Sequence, residues 1–216
     1  MSNSEFKFTR EDLLKERSLH DVYRIARLTP ANGLNVGVTL VVFFICCVYC
    51  VTAGANQLPV LTLLRQISSD AIAFTASILG FLVAGFTIFV TTRPEVFYIM
   101  AKVEKEGMGV SYLKYNLSIF LLVFIHYLAF TIYCVTLRVF FPSQGPAAFI
   151  FQAVPISKAA ATTVKEVGIS IVFISFTSWL FYILMLLKSF IFNVYHIVMT
   201  GVALTINVDE DEDGQA

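Results

Sequence analysis

Residues 71–92, AIAFTASILGFLVAGFTIFVTT, run for 22 positions without a charged side chain. As a helix rising about 1.5 Å per residue this run is about 33 Å long, enough to cross a hydrocarbon core of about 30 Å. A chain that contains such a segment folds around it, in lipid. Its small residues are ordered: Ala76, Gly80 and Ala84 recur every fourth position, with Ala73 and Ser77 beside them. They leave a shallow groove where a second helix can approach closely. Two uses of that groove follow, seating the chain's own neighbouring helices or forming a contact between subunits.

The rest of the chain agrees with a membrane setting. Of 216 residues 57% are hydrophobic and only 14% charged, and the mean hydropathy is +0.78, outside the range of soluble globular domains. The formal net charge is zero, which gives no electrostatic case for nucleic acid. The first 30 residues carry charges of both signs and lack the short basic region and apolar core of a cleavable signal. Cys46, Cys47, Cys50 and Cys134 all fall in apolar stretches and read as small buried groups, without the second ligand cluster that a zinc site needs.

Four spans are expected, at about 34–52, 71–92, 116–140 and 168–187, making an all-α polytopic protein with a four-helix transmembrane bundle over 31–187. Residues 9–29 read as one charged amphipathic helix within an N-terminal segment 1–30, with Thr9 as its cap. Between the first two spans Pro59 is placed to open a small interfacial helix. A further helix is expected at 94–106, opened by Pro94 and ended by Gly107 and Gly109. Apolar sequence continues past Lys188 to Val208 with no turn, so 188–208 reads as an extension of the last helix rather than a fifth crossing. Residues 209–216, DEDEDGQA, read as a disordered acidic tail. Four spans place eleven Lys and Arg on the side of the termini against four opposite, which puts both termini in the cytosol.

No phosphate loop, nucleophile elbow or metal-ligand cluster occurs, so no catalytic, cofactor or metal residue is assigned and an enzyme is not expected. His126 is the one imidazole near the middle of a span, where a polar group should face the bundle. Together with Tyr133 on the same helix, and Ser175 and Ser178 on the last, it forms a candidate intramembrane polar site. It reads either as part of a proton-sensitive ion path or as a neutral histidine bonded to a neighbouring helix. None of the spans contains Asp or Glu, which argues against secondary transport. A small oligomeric channel remains the alternative, because a chain this short needs several copies to enclose a pore.

The other reading is a non-enzymatic membrane anchor or sensor. In the extension, Ser189, Asn193, His196 and Thr200 form a polar stripe at i, i+4, i+7 and i+11. Asn193 and His196, with Asp209 and Glu210 of the tail, are the candidate docking residues for a cytosolic protein. The layout, carried by GFLVAGFTIFVTTRP, the basic and acidic helix at 94–106 and the long final helix, resembles the small four-pass membrane subunits of bacterial antiphage defence systems, of the Kiwa type. That resemblance implies a homo-oligomer in the bacterial inner membrane that works with a separately encoded cytosolic effector.

Overall fold

The computed structural model describes residues 8–27, 32–54, 56–92, 94–105, 107–142, 144–153 and 157–213. Among them the order of helices is α1 (Arg10–Leu13), α2 (Leu19–Ala26), α3 (Gly33–Ala53), α4 (Leu58–Thr92), α5 (Pro94–Lys102), α6 (Tyr112–Phe140), α7 (Pro146–Ala153) and α8 (Lys158–Asp213). No strand occurs among the described residues. Helices α3, α4, α6 and α8 are each long and apolar enough to cross a membrane. The chain is an all-α integral membrane protein with a four-helix transmembrane bundle.

Several boundaries differ from expectation, each for a local reason. The segment 9–29 is two helices, because Ser18 starts a new one: its hydroxyl caps the Asp21 N–H while the Asp21 carboxylate accepts from the Ser18 N–H. Pro59 does not open a separate interfacial helix. It occupies the first turn of a continuous 35-residue α4, where its missing N–H costs nothing. Helix α5 ends at Lys102 rather than 106. Gly107 and Gly109, at φ 73° and 64°, turn a small hairpin in which Lys105 N–H bonds the Val110 carbonyl at 2.9 Å and Tyr112 N–H bonds that of Val103 at 2.8 Å. The backbone of α8 stays helical through Asp213, so 209–213 differ from the disordered tail expected there. Residues 214–216 lie outside the described residues.

The chain forms two compact units, one of residues 1–30, 81–125 and 187–216, the other of residues 31–80 and 126–186. In the second unit α4, α6 and α8 each bury one stripe. On α4 this is Val60, Leu64, Ser68, Ala71 and Thr75; on α6 Tyr127, Phe130, Cys134 and Leu137; on α8 Ile169, Phe173, Phe176 and Ile183. These three- and four-residue steps are the helical period. Partner numbers fall along one helix as they rise along the next: Tyr127 meets Ile183 and Tyr133 meets Ser175, while Arg65 meets Phe141 and Ser69 meets Arg138. Within this unit α6 therefore runs antiparallel to both α4 and α8. Between α6 and α7, Gly145 makes a turn that only glycine fits, since a Cβ there would lie 2.7 Å from Pro142 Cδ and 2.9 Å from the Phe140 carbonyl oxygen.

In the first unit Met100, Ala101, Ser111, Ser118, Ile119 and Val123 are buried. Phe120 stacks on Phe86 with centroids 4.5 Å apart and packs on Phe190 at 5.4 Å. The N-terminal helices join it through Lys114, whose ammonium donates to the Asp12 carbonyl at 2.7 Å and pairs with the Glu16 carboxylate.

Candidate functional site

The polar residues expected inside the bundle sit on a seam between α6 and α8 in the second unit. Its centre is aromatic: Phe130 and Phe176, both fully buried, have centroids 5.1 Å apart, and Trp179 packs 5.6 Å from Phe130 and 5.7 Å from Tyr133. Such pairs contribute about 0.5–1.5 kcal/mol each beyond area burial. The Tyr127 hydroxyl, buried, donates to the Ile183 carbonyl at 3.1 Å. Polar residues of α6 and α8 meet on this seam at two places. Tyr133 and Ser175 hydroxyls lie 3.0 Å apart, and the half-buried His126 ring lies 5.6 Å from that of Tyr182. Ser178 does not join them. It turns inward, and its hydroxyl is buried without a hydrogen-bond partner among the described residues.

Gln57 was not singled out from sequence, yet it ties three elements together. Its Nε2 donates to the Gly54 carbonyl at 2.7 Å and to that of Cys50 at 3.3 Å, satisfying carbonyls that the end of α3 leaves open. Its Oε1 accepts from the Ser170 hydroxyl of α8 at 3.4 Å. The available signal was its position: a buried amide three residues after Gly54, whose φ of 55° stops the helix.

The first unit holds a cavity of about 120 Å³. Leu82, Phe86, Met100, Phe120, Phe190 and Ile197 wall it, with Asn116 and Asn193 as its polar members. An apolar cavity of about 150 Å³ is enough to stay dry and take a benzene. Asn193 is thus turned to the cavity and not outward as the polar stripe implied. It belongs with Phe190, Val194 and Ile197 at i, i+3, i+4 and i+7, and the apolar face carried it inward. His196 is exposed, its ring 6.5 Å from that of Phe192. Asp209 and Glu210 lie in the last turns of α8, and their side chains are outside the described residues.

The small-residue groove is uncovered among the described residues. Ala76, Gly80 and Ala84 are exposed, and a Cβ built on Gly80 would meet no atom within 4 Å. Among the described residues, the face of α4 that packs is the stripe through Ala71 and Thr75. Among the described residues no cluster of three His, Cys, Asp or Glu is placed to hold a metal, and the four cysteines are free.

Outside the spans, among the described residues, two carboxylates are perturbed. Asp12 is held below the usual carboxylate range by the Thr9 N–H at 2.9 Å and the Thr9 hydroxyl at 2.7 Å. Asp21 is held below it first by the Ser18 hydroxyl, also at 2.7 Å. Both are local caps. Comparison with protein-family models, with curated proteins and with solved structures finds no match.

Proposed function

We propose that this protein is a non-enzymatic, homo-oligomeric membrane anchor whose final helix presents a docking surface to a cytosolic partner. One observation carries the reading. The apolar part of α8 spans 41 residues, Ala159–Met199, about 60 Å of helix, twice the thickness of a hydrocarbon core. Beyond Lys188 its two sides differ. Phe190, Asn193, Val194 and Ile197 face the cavity, while Ile191, Tyr195, Val198 and Val202 are exposed at 58%, 63%, 47% and 39%.

The exposed set has spacings of four, three and four residues, a heptad seam of the kind that pairs helices from separate chains. A surface so apolar, on a helix that outruns the membrane, is one that another chain covers. The uncovered groove at Ala76, Gly80 and Ala84 supports a second contact between copies. The orientation, with termini in the cytosol, rests on the eleven-to-four charge asymmetry. The setting, antiphage defence at a bacterial inner membrane, rests on the resemblance in layout.

The test is truncation after Lys188, which keeps the four expected spans and removes the extension of α8. The full chain in mild detergent is expected to run as an oligomer and to recover a stoichiometric cytosolic protein, and the truncated chain to lose that protein. Recovery of the same protein by the truncated chain overturns the assignment of α8. A second reading, an ion path between copies, has one observation in its favour: the Tyr133 and Ser175 pair lies on the surface of its unit, where a neighbouring copy can share it. Liposome flux that responds to pH in the histidine range and to His126→Ala decides for the path.

A further inference from the structure

Within the second unit, the start of α4, the turn after α6 and the first turns of α8 enclose an open pocket of about 470 Å³. Its wall is apolar, with Leu58 and Leu61 from α4 and Ile169 and Val172 from α8, and its cations are Arg65 and Lys165. A second pocket of about 320 Å³ shares Arg65, Phe141 and Pro142 with the first and adds Arg138. Three positive side chains thus border two adjoining hollows, with Arg65 common to both.

Two of them are held in place by neutral partners. Arg65 Nε donates to the Phe141 carbonyl at 2.9 Å, which uses one of the five N–H groups of the guanidinium and fixes its plane. Arg138 Nη1 donates to the Ser69 hydroxyl at 3.0 Å. Among the described residues none of the three is in an ion pair. Asp70 and Glu166, the acids on the same stretches of α4 and α8, make no bridge to them. Cations at the ends of apolar helices reach the level of the lipid headgroups, where an anionic headgroup can pair with them.

We infer that this pocket binds an anionic phospholipid, with the phosphate between Arg65 and Lys165 and an acyl chain along the apolar wall. A planar guanidinium with its terminal N–H groups open matches two phosphate oxygens at once. Lys165 is exposed and long enough to bring its ammonium to the mouth while its stem lies on the wall. The wall decides between a lipid and free phosphate. Inorganic phosphate meets the cations and leaves Leu58, Leu61, Ile169 and Val172 unused, whereas a phospholipid engages both. Gly168, Ala147 and Ala148, also in the lining, keep the space open.

The experiment is a lipid titration of the full-length protein in a neutral detergent, read by native mass spectrometry and by thermal unfolding. The probes are phosphatidylglycerol, phosphatidylcholine and inorganic phosphate. Phosphatidylglycerol is expected to bind at least about tenfold more tightly than phosphatidylcholine and to raise the unfolding temperature, with a preference that shrinks as salt is added. Lys165→Gln, at an exposed residue without a partner among the described residues, should leave lipid-free stability unchanged and weaken phosphatidylglycerol binding about tenfold. Arg65→Lys, which keeps the charge and removes the fork, should weaken it by a smaller factor. Equal binding of the two lipids overturns the proposal, as does unchanged phosphatidylglycerol binding in Lys165→Gln. Stabilisation by inorganic phosphate as large as that by the lipid assigns the site to free phosphate and overturns the lipid assignment.

Discussion

The two units are built from largely the same helices and held together in different ways. In the unit of residues 31–80 and 126–186, directional bonds cross between helices: Tyr127 to Ile183, Tyr133 to Ser175, Arg138 to Ser69 and Gln57 to Ser170. In the unit of residues 1–30, 81–125 and 187–216, α4, α6 and α8 meet through the rings of Phe86, Phe120 and Phe190 around an open space. Lipid tails are as apolar as leucine, so helices in a membrane gain little from hydrophobic burial and depend on close packing and hydrogen bonds to choose their partners. The first arrangement has that specificity. The second shows, among its described residues, ring contacts around a cavity, with the Lys114 bonds to Asp12 and Glu16 at its N-terminal side.

The sharpest way to break the comparison is to remove one ring from each unit. Phe176 is fully buried between Phe130 and Tyr133. Truncating such a ring costs about 3–5 kcal/mol in a water-soluble core. In lipid the transfer part largely drops out, so Phe176→Ala should cost about 2 kcal/mol of thermal stability in detergent. Phe120→Ala enlarges a cavity already present and should cost less than half as much. Equal losses would show that the two units are packed alike and would remove the contrast.

Most of the fold is legible because span length and hydropathy are strong signals, and all four spans show as long apolar runs. What was missed was missed for identifiable reasons. The segment 57–70 contains Gln57, Arg65, Ser68, Ser69 and Asp70, which read as a connection, yet Val60, Leu64, Ser68 and Ala71 continue the buried stripe of α4. Tertiary packing outweighed local polarity. In α8 the converse happened: apolar residues surround the helix beyond Lys188, so Asn193 was used to mark the outer face, and the structure turns it to the cavity. Of the candidate polar site, the Tyr133 and Ser175 hydroxyls lie together, while Ser178, one turn on, is buried. The ring cluster with Trp179 gave no signal, since aromatics are common throughout the chain.

Smaller effects sharpen the contrast. Tyr127→Phe removes the bond to the Ile183 carbonyl and nothing else, and interhelical bonds of this kind contribute about 0.6–1.7 kcal/mol. The unfolding temperature should fall by a small, measurable step, and an unchanged transition would mean that packing alone holds α6 to α8. Gly85→Ala tests the other unit in the opposite direction. Gly85 lines the cavity, a Cβ there meets no atom within 4 Å, and alanine is favoured over glycine inside a helix by about 0.5–1 kcal/mol. The variant should therefore be more stable than the parent. A loss of stability would show that the open space beside Gly85 closes on itself and that the unit is packed as tightly as its counterpart.

The smallest effect concerns the N-terminal helices, which the first unit holds through Lys114. Ser18 starts α2 by a reciprocal pair of bonds with Asp21, and a carboxylate that accepts these bonds is favoured in its charged form, which is why its pKa lies below the ordinary value. A depressed carboxylate pKa stabilises the folded cap fully above the ordinary carboxylate range and loses that contribution as pH falls through the lowered value. Helix α2 should therefore fray on acidification before the four apolar helices respond. Ser18→Ala should produce the same fraying at neutral pH, seen as faster amide exchange at Asp21 and Val22 with no shift of the main unfolding transition. Both groups are at the surface, and α1 remains tied to Lys114 by its own contacts, so the change stays local. If Ser18→Ala instead lowered the main transition, α2 would have to be part of the packed structure of its unit.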